Sequence, residues 1–252
     1  METLTVEFTQ PIVLLDIEGT TTSISFVKDT LFPFARKNLK DYIERNWSKE
    51  ELQDVVKLLK QQCEEDKSNE LTGLIPITDG EGEIQSIVEN VNWQMDNDRK
   101  TFALKKLQGF IWKDGYHSGQ LKSHLYEDVV PALKSWQDKG RKLNIYSSGS
   151  VEAQKLLFGF SIFGNLLDLF SNYFDTTVGA KVNKESYSNI ANELNCNCSD
   201  ILFITDVVKE ADAASEAGCN VIISDRPGNA PLSPEDRKKY KCVRSFSQLH
   251  PK

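Results

Sequence analysis

The sequence has no apolar run of membrane-spanning length, no long block of lysines or arginines, and only three histidines and two methionines in 252 residues. Each scarcity removes a class of function. A transmembrane helix needs about 20 consecutive apolar residues. A net charge of −7 with no basic block is not the electrostatic footprint of a protein that binds nucleic acid or an anionic membrane. The opening METLTVEFTQ carries neither a basic segment nor an apolar stretch, so it does not read as a secretory leader. Cys63, Cys196, Cys198, Cys219 and Cys242 are too scattered to staple a chain of this size, which suits a reducing compartment. Cys196 and Cys198 lack the two-residue gap of a zinc knuckle. The expectation is a cytoplasmic protein, with nuclear entry also open.

What is present is a set of short apolar runs: IVLL (12–15), KLNIY (142–146), ILFIT (201–205) and NVII (220–223), with YKCVRSF (240–246) a weaker candidate. Continuous rather than alternating apolar character predicts strands buried on both faces of a parallel sheet. Helical patterns lie between them: Val151–Phe158 behind the N-cap candidate Ser150, Lys184–Leu194 with Tyr187, Ile190, Ala191 and Leu194 on one stripe, and the alanine-rich Glu210–Ala217. The alternation predicts an α/β fold, an open parallel Rossmann-like sheet formed by residues 1–24 and 130–252.

Residues 25–129 read differently, as one helix after another. Pro33 suits a first helical turn, and Leu52, Val55, Val56, Leu59 and Cys63 repeat at helical spacing, as do Ile84, Ile87, Val88, Val91 and Met95. The polar stretches EEDKSNELTG and TDGEGE separate these segments. The interval is therefore expected to be an all-helical insertion between the first and second core strands.

Chemistry gathers where the strands end. DIEGT, with Asp16 and Glu18, follows the first; SSGS, with Ser147, Ser148 and Gly149, the second; DVVKE, with Asp206 and Glu210, the third; and SDRPGN follows NVII. Lys181 lies in GAKVNKES ahead of a helix. In an open parallel sheet the carboxyl ends of all strands share one edge, where ligands bind. Two carboxylates about 4 Å apart repel by about 4 kcal/mol at an effective dielectric of 20. Asp16 and Asp206, with Glu18 nearby, thus call for a cation, and Mg²⁺ suits two carboxylates plus phosphate oxygens. Lys181, the hydroxyls of Ser147 and Ser148, the Gly149 loop amides and the threonines at 20–22 supply further donors to an anion. With Asp16 as nucleophile, the set predicts phosphoryl transfer through an aspartyl-phosphate.

These motifs resemble the haloacid-dehalogenase-type (HAD-like) phosphatases. The superfamily pattern has Asp two residues after the nucleophile; Glu18 stands there instead, and LLDIEGTTT is similar to the enolase-phosphatase (acireductone synthase) branch. YSSGSVEAQKLLFG, GAKVNKESY, ILFITDVVKEADAA and WQMDNDRKTFALKKLQGFIW look like the same branch, so the likeness runs from Val13 to about Pro227. It implies Asp16 as nucleophile and metal ligand, Glu18 in the metal site through its backbone carbonyl and as an acid or base, and Asp206 completing the metal shell. It implies Ser147, Ser148 and Gly149 holding phosphate, and Lys181 contacting both phosphate and nucleophile. The implied reaction converts 2,3-diketo-5-methylthiopentyl-1-phosphate to the acireductone and phosphate in methionine salvage.

Rival readings are a receiver-type signalling domain, which has no use for so long an insertion, a hydrolytic dehalogenase, and a phosphatase of another small ester such as a sugar phosphate. The insertion resembles a cap, with Trp93, Met95, Phe102, Phe110 and Trp112 either lining a site or packing the cap's own core. His117 and His124 read as surface residues. Nothing in the sequence demands a dimer, and a monomer is expected.

Overall fold

Four of the apolar runs become adjacent strands of one sheet. The computed structural model describes residues 5–252. In chain order the strands are β1 (Val6–Phe8), β2 (Ile12–Leu15), β3 (Lys142–Tyr146), β4 (Asn172–Phe174), β5 (Ile201–Thr205), β6 (Asn220–Ser224), β7 (Lys241–Val243) and β8 (Leu249–Pro251). Six of them form a parallel sheet in the order β4-β3-β2-β5-β6-β7; β1 and β8 pair separately, also in parallel. Val13, Leu14 and Leu15 at its centre are fully buried. Each such side chain contributes roughly 2 kcal/mol by leaving water. Register matters most for the chemistry: Leu15 lies opposite Ile145 of β3 and Ile204 of β5, so all three chains leave the sheet at one level.

The chain divides into two compact units. One comprises the chain up to Lys28 together with Lys122–Lys252; the other is Asp29–Leu121. The first unit carries the sheet and the helices α1 (Ile24–Phe26), α6 (Val129–Asp138), α7 (Val151–Gly159), α8 (Lys184–Glu193), α9 (Val208–Glu216) and α10 (Pro234–Lys239). It also takes in residues 122–129, which the sequence reading gave to the insertion. The Ser123 N–H donates to the Phe160 carbonyl and the Tyr126 N–H to that of Thr21, while Asp128 pairs with Arg226 at 2.9 Å. These bonds fasten the segment to the sheet unit.

The second unit holds α2 (Phe32–Asn46), α3 (Glu50–Ser68), α4 (Glu83–Asp96) and α5 (Phe102–His117). Helix α2 packs on α4 and α5, and α3 on α5, around Leu39, Ile43, Val55, Leu59, Ile87, Val91 and Leu107, all fully buried. Helix α3 runs through Ser68, consuming half of the stretch expected to be a separator. Glu64 and Glu65 face water, whereas Asp66 is buried and held by Arg99. Trp93 and Trp112 are buried within this unit, and the Trp112 indole donates to the Leu31 carbonyl; Phe102 is 71% exposed. Among the described residues no helix is long and apolar enough to cross a membrane.

Candidate active site

Asp16 is the first residue beyond β2 and is buried, its N–H donating to the Ile204 carbonyl of β5 at 3.0 Å. The turn that follows closes on one acceptor: the N–H groups of Thr20, Thr21 and Thr22 all point at the Ile17 carbonyl, at 2.9–3.2 Å. Gly19 adopts φ +72°, a conformation open to glycine at little cost. The turn brings its α-carbon against Asp206, so close that an added β-carbon would lie 2.4 Å from Asp206 Oδ2.

Lys181 supplies the positive charge. Its ammonium sits 2.5 Å from Asp16 Oδ1 and 2.7 Å from Glu210 Oε2, and the side chain is only 7% exposed. The lysine is held from both sides. Tyr187 in α8 donates its hydroxyl to the Lys181 carbonyl at 2.7 Å, and Tyr146 donates to the Gly179 carbonyl at 2.9 Å. The rings of Tyr146 and Phe203 flank the ammonium at 5.6 and 5.8 Å. Burial works against the Lys181 charge, but Asp16 and Glu210 outweigh it and hold its pKa above the ordinary value.

Glu210, which the sequence reading left out of the site, is thus the lysine's second partner. Thr205 Oγ1 also donates to it, at 2.8 Å. The signal was present: Glu210 stands four residues after Asp206, one turn into α9, and so faces back over the strand end.

The charges do not balance. Asp16, Asp206 and Glu210 surround one ammonium. Burial, then the charges of Asp16 and Glu210, push Asp206 up to about 8; burial and Asp16 likewise raise Glu210, against the pull of Lys181. Among the described residues no three His, Cys, Asp or Glu side chains form a ready-made metal cage. A hard divalent ion that keeps most of its water needs no cage: two carboxylates, a backbone carbonyl and substrate oxygens suffice. The donor set of Asp16, Asp206 and the Glu18 backbone fits such an ion, and the glycine cradle at Gly19 leaves the Asp206 carboxylate room to serve it.

The remaining predicted residues divide. Ser147 and Ser148 leave β3 one and two residues past Tyr146, at the level of the Asp16 turn. The Gly149 N–H donates to Ser147 Oγ at 3.3 Å, so this loop amide orients the serine. Ser150 caps α7 as expected, accepting from the Ala153 N–H. The Glu18 side chain is exposed. Of the threonines, only Thr20 turns its hydroxyl toward the Asp16 carboxylate, at 3.4 Å; Thr21 and Thr22 donate to the carbonyls of Ile17 and His124. His124 is not a surface residue. It is half-buried between Phe26 and Tyr126, accepts the Ser23 N–H at Nδ1, and is held below the usual histidine range by burial. It anchors the far end of the turn that follows Asp16. His117 is exposed and within hydrogen-bonding distance of the Lys113 carbonyl.

Replacing Gly19 by Ala is expected to displace the Asp206 carboxylate, because overlap at 2.4 Å adds to the strain of a positive φ. Calorimetric titration should then show divalent-cation affinity weakened by about tenfold or more. Unchanged affinity would mean that Asp206 is not a ligand.

A parallel sheet with surrounding helices, and an acid–lysine–acid cluster at its carboxyl edge, define the haloacid dehalogenase-like hydrolases, whose family model matches residues 11–218. Within that class the chain belongs to the enolase-phosphatase E1 family. It is 55% identical to enolase-phosphatase E1 of Acyrthosiphon pisum, over 94% of this chain and 96% of that one. Against the Xenopus tropicalis enolase-phosphatase E1 the identity is 52%, covering 95% and 94%. The crystal structure of the UTR4 protein of Saccharomyces cerevisiae is similar with a TM-score of 0.75 at 32% identity, over 94% of this chain and 99% of that one.

Proposed function

We propose that this chain is a Mg²⁺-dependent enolase-phosphatase that turns 2,3-diketo-5-methylthiopentyl-1-phosphate into acireductone and phosphate in methionine salvage. The observation that carries the phosphatase half is the Lys181 ammonium set 2.5 Å from the Asp16 carboxylate. The enolase half rests on full-length similarity to enolase-phosphatases and on glutamate at position 18.

Lys181 holds Asp16 Oδ1, which leaves Oδ2 as the attacking oxygen beside the Thr20 hydroxyl. Once the substrate is enolised, attack on phosphorus forms the aspartyl-phosphate and breaks the bond between phosphorus and the enolic oxygen, which leaves as an enolate and takes a proton from water. Water then cleaves the acyl phosphate, returning the Asp16 carboxylate and free phosphate. Ser147 and Ser148 are the hydroxyl donors for the phosphoryl oxygens, and Lys181 offsets the charge that accumulates near Asp16. A bound Mg²⁺ supplies further charge neutralisation and polarises substrate oxygen. Enolisation needs a base near the carbon α to a carbonyl. We assign it to Glu18, whose side chain is exposed and one methylene longer than aspartate.

Glu18→Gln is therefore expected to slow enediol formation by about 10²-fold or more, the usual size of a general-base contribution. Following enediol absorbance and free phosphate together separates the steps, and an unchanged enolisation rate would remove Glu18 from this role. The same two-signal assay tests the whole reading. Enediol and phosphate should both appear with Mg²⁺, and EDTA should abolish phosphate release. Cleavage of simple phosphate esters without turnover of the diketone would leave a phosphatase with another substrate.

A further inference from the structure

The amide of Asn229 has only one workable orientation. It lies in the turn after β6, and its Nδ2 donates to the Gly19 carbonyl at 2.9 Å and to the Ser224 carbonyl at 3.0 Å. Turning the group over would set its oxygen against two carbonyl oxygens, so its surroundings fix the assignment. The other amide atom, Oδ1, is consequently forced the opposite way. It is buried and has no hydrogen-bond partner. A buried acceptor without a donor is uncommon enough in a folded protein to require a reason.

Its surroundings point to one. A β-carbon built on Gly19 would lie 3.0 Å from Asn229 Oδ1 and 2.4 Å from Asp206 Oδ2. Both oxygens therefore converge over the same face of the nucleophile turn. Two acceptors gathered there ask for a donor between or beside them, and Lys181 is already committed to Asp16 and Glu210. The residue type is informative too. Aspartate would add a fourth carboxylate to the cluster, whereas asparagine offers an oxygen without charge.

We infer that Asn229 is a positioning residue of the cation site, its Oδ1 accepting a hydrogen bond from a hydration water of the divalent ion. The inference rests on the functional reading above. Mg²⁺ gives up its water reluctantly, so several polarised O–H donors accompany it into a site with few protein ligands. An outer-shell acceptor that orients one of them tightens binding without touching the metal. The Nδ2 bonds meanwhile hold the Gly19 turn against Asp206, so one side chain ties the two halves of the site together.

The test is calorimetric titration of Mg²⁺ into metal-free protein, with the melting temperature of each metal-free variant recorded alongside. Asn229→Ala removes Oδ1 and the brace. Ser224→Ala removes only a brace, because Ser224 Oγ donates to the same Gly19 carbonyl at 3.2 Å. The expected result is that Asn229→Ala weakens Mg²⁺ binding by about 10–100-fold, while Ser224→Ala lowers the melting temperature and leaves the affinity within about twofold. Equal affinities for Asn229→Ala and the unsubstituted protein would overturn the inference alone. Equal weakening by both variants would also overturn it, assigning the effect to the turn. Absence of any Mg²⁺ uptake by the unsubstituted protein would overturn it together with the functional reading.

Discussion

Asp16→Asn is expected to reduce phosphate release by at least about 10³-fold, a rise in barrier of at least about 4 kcal/mol. An amide oxygen cannot form the acyl phosphate, so no second route through the same geometry remains. The same substitution should leave the metal-free protein folded and melting no lower than before. Asp16 is buried and shares a single lysine with the half-buried Asp206 and Glu210, and Lys181 keeps its 2.7 Å bond to Glu210 when Asp16 is neutral. Removing one member of a crowded acidic cluster relieves repulsion while it breaks one ion pair. Single-turnover phosphate release and thermal melting on the same preparation give both numbers. Retention of more than about a tenth of the rate would sink the aspartyl-phosphate reading, since losing a covalent nucleophile costs several orders of magnitude. A large drop in melting temperature would instead make the Asp16–Lys181 pair chiefly structural.

The central strands were legible because their burial is two-sided. IVLL, KLNIY, ILFIT and NVII are almost unbroken apolar runs, and each became a strand within one residue of its expected bounds. The short strands β1, β4 and β8 went unread. VEF, NYF and LHP are three residues long, too short to show a period, and their pairing is decided by tertiary partners. Helix α5 lies in the interval expected to be helical, but Gly109 and Gly115 interrupt its pattern and hide its bounds. Gly115 is nevertheless required, because a β-carbon there would lie 2.4 Å from the Phe34 ring.

The site followed the same rule. Asp16 and Asp206 end strands, and strand ends can be read; Ser147 follows β3 for the same reason. Glu210 stands one turn after Asp206, a spacing that can be read, whereas Asn229 is fixed by how the PGN turn folds back over the strand ends, which no local pattern reveals. His124 was misread because its partners, Thr22 and Ser23, lie about a hundred residues away in sequence.

The metal-free protein is expected to lose stability as pH rises from about 4 to about 8, and Mg²⁺ to remove most of that loss. Asp206 titrates near 8 in the folded chain against 3.8 for the free side chain, through burial first and the charges of Asp16 and Glu210 second. Between those values the folded state keeps a proton that the unfolded state has released, so stability falls as pH increases. Glu210 is raised as well, and adds with the same sign. Lys181 adds nothing to the slope in this window. Its folded pKa lies above 10.5, so its contribution is complete below 10.5 and is lost only at higher pH. A cation at the carboxylates favours their ionised forms, restoring the stability that deprotonation removed. Lys181→Met sharpens the contrast. It strips the ammonium paired with both Asp16 and Glu210, and breaking a buried pair costs about 3–5 kcal/mol. Protonation of the stranded acids should return part of that cost at low pH, so the variant's deficit should be larger near pH 8 than near pH 5. Urea unfolding at both pH values, with EDTA or with Mg²⁺, measures all of these terms. A stability that climbs with pH in EDTA would mean the acids ionise readily unaided, and the case for a cation at Asp16 and Asp206 would fall with it.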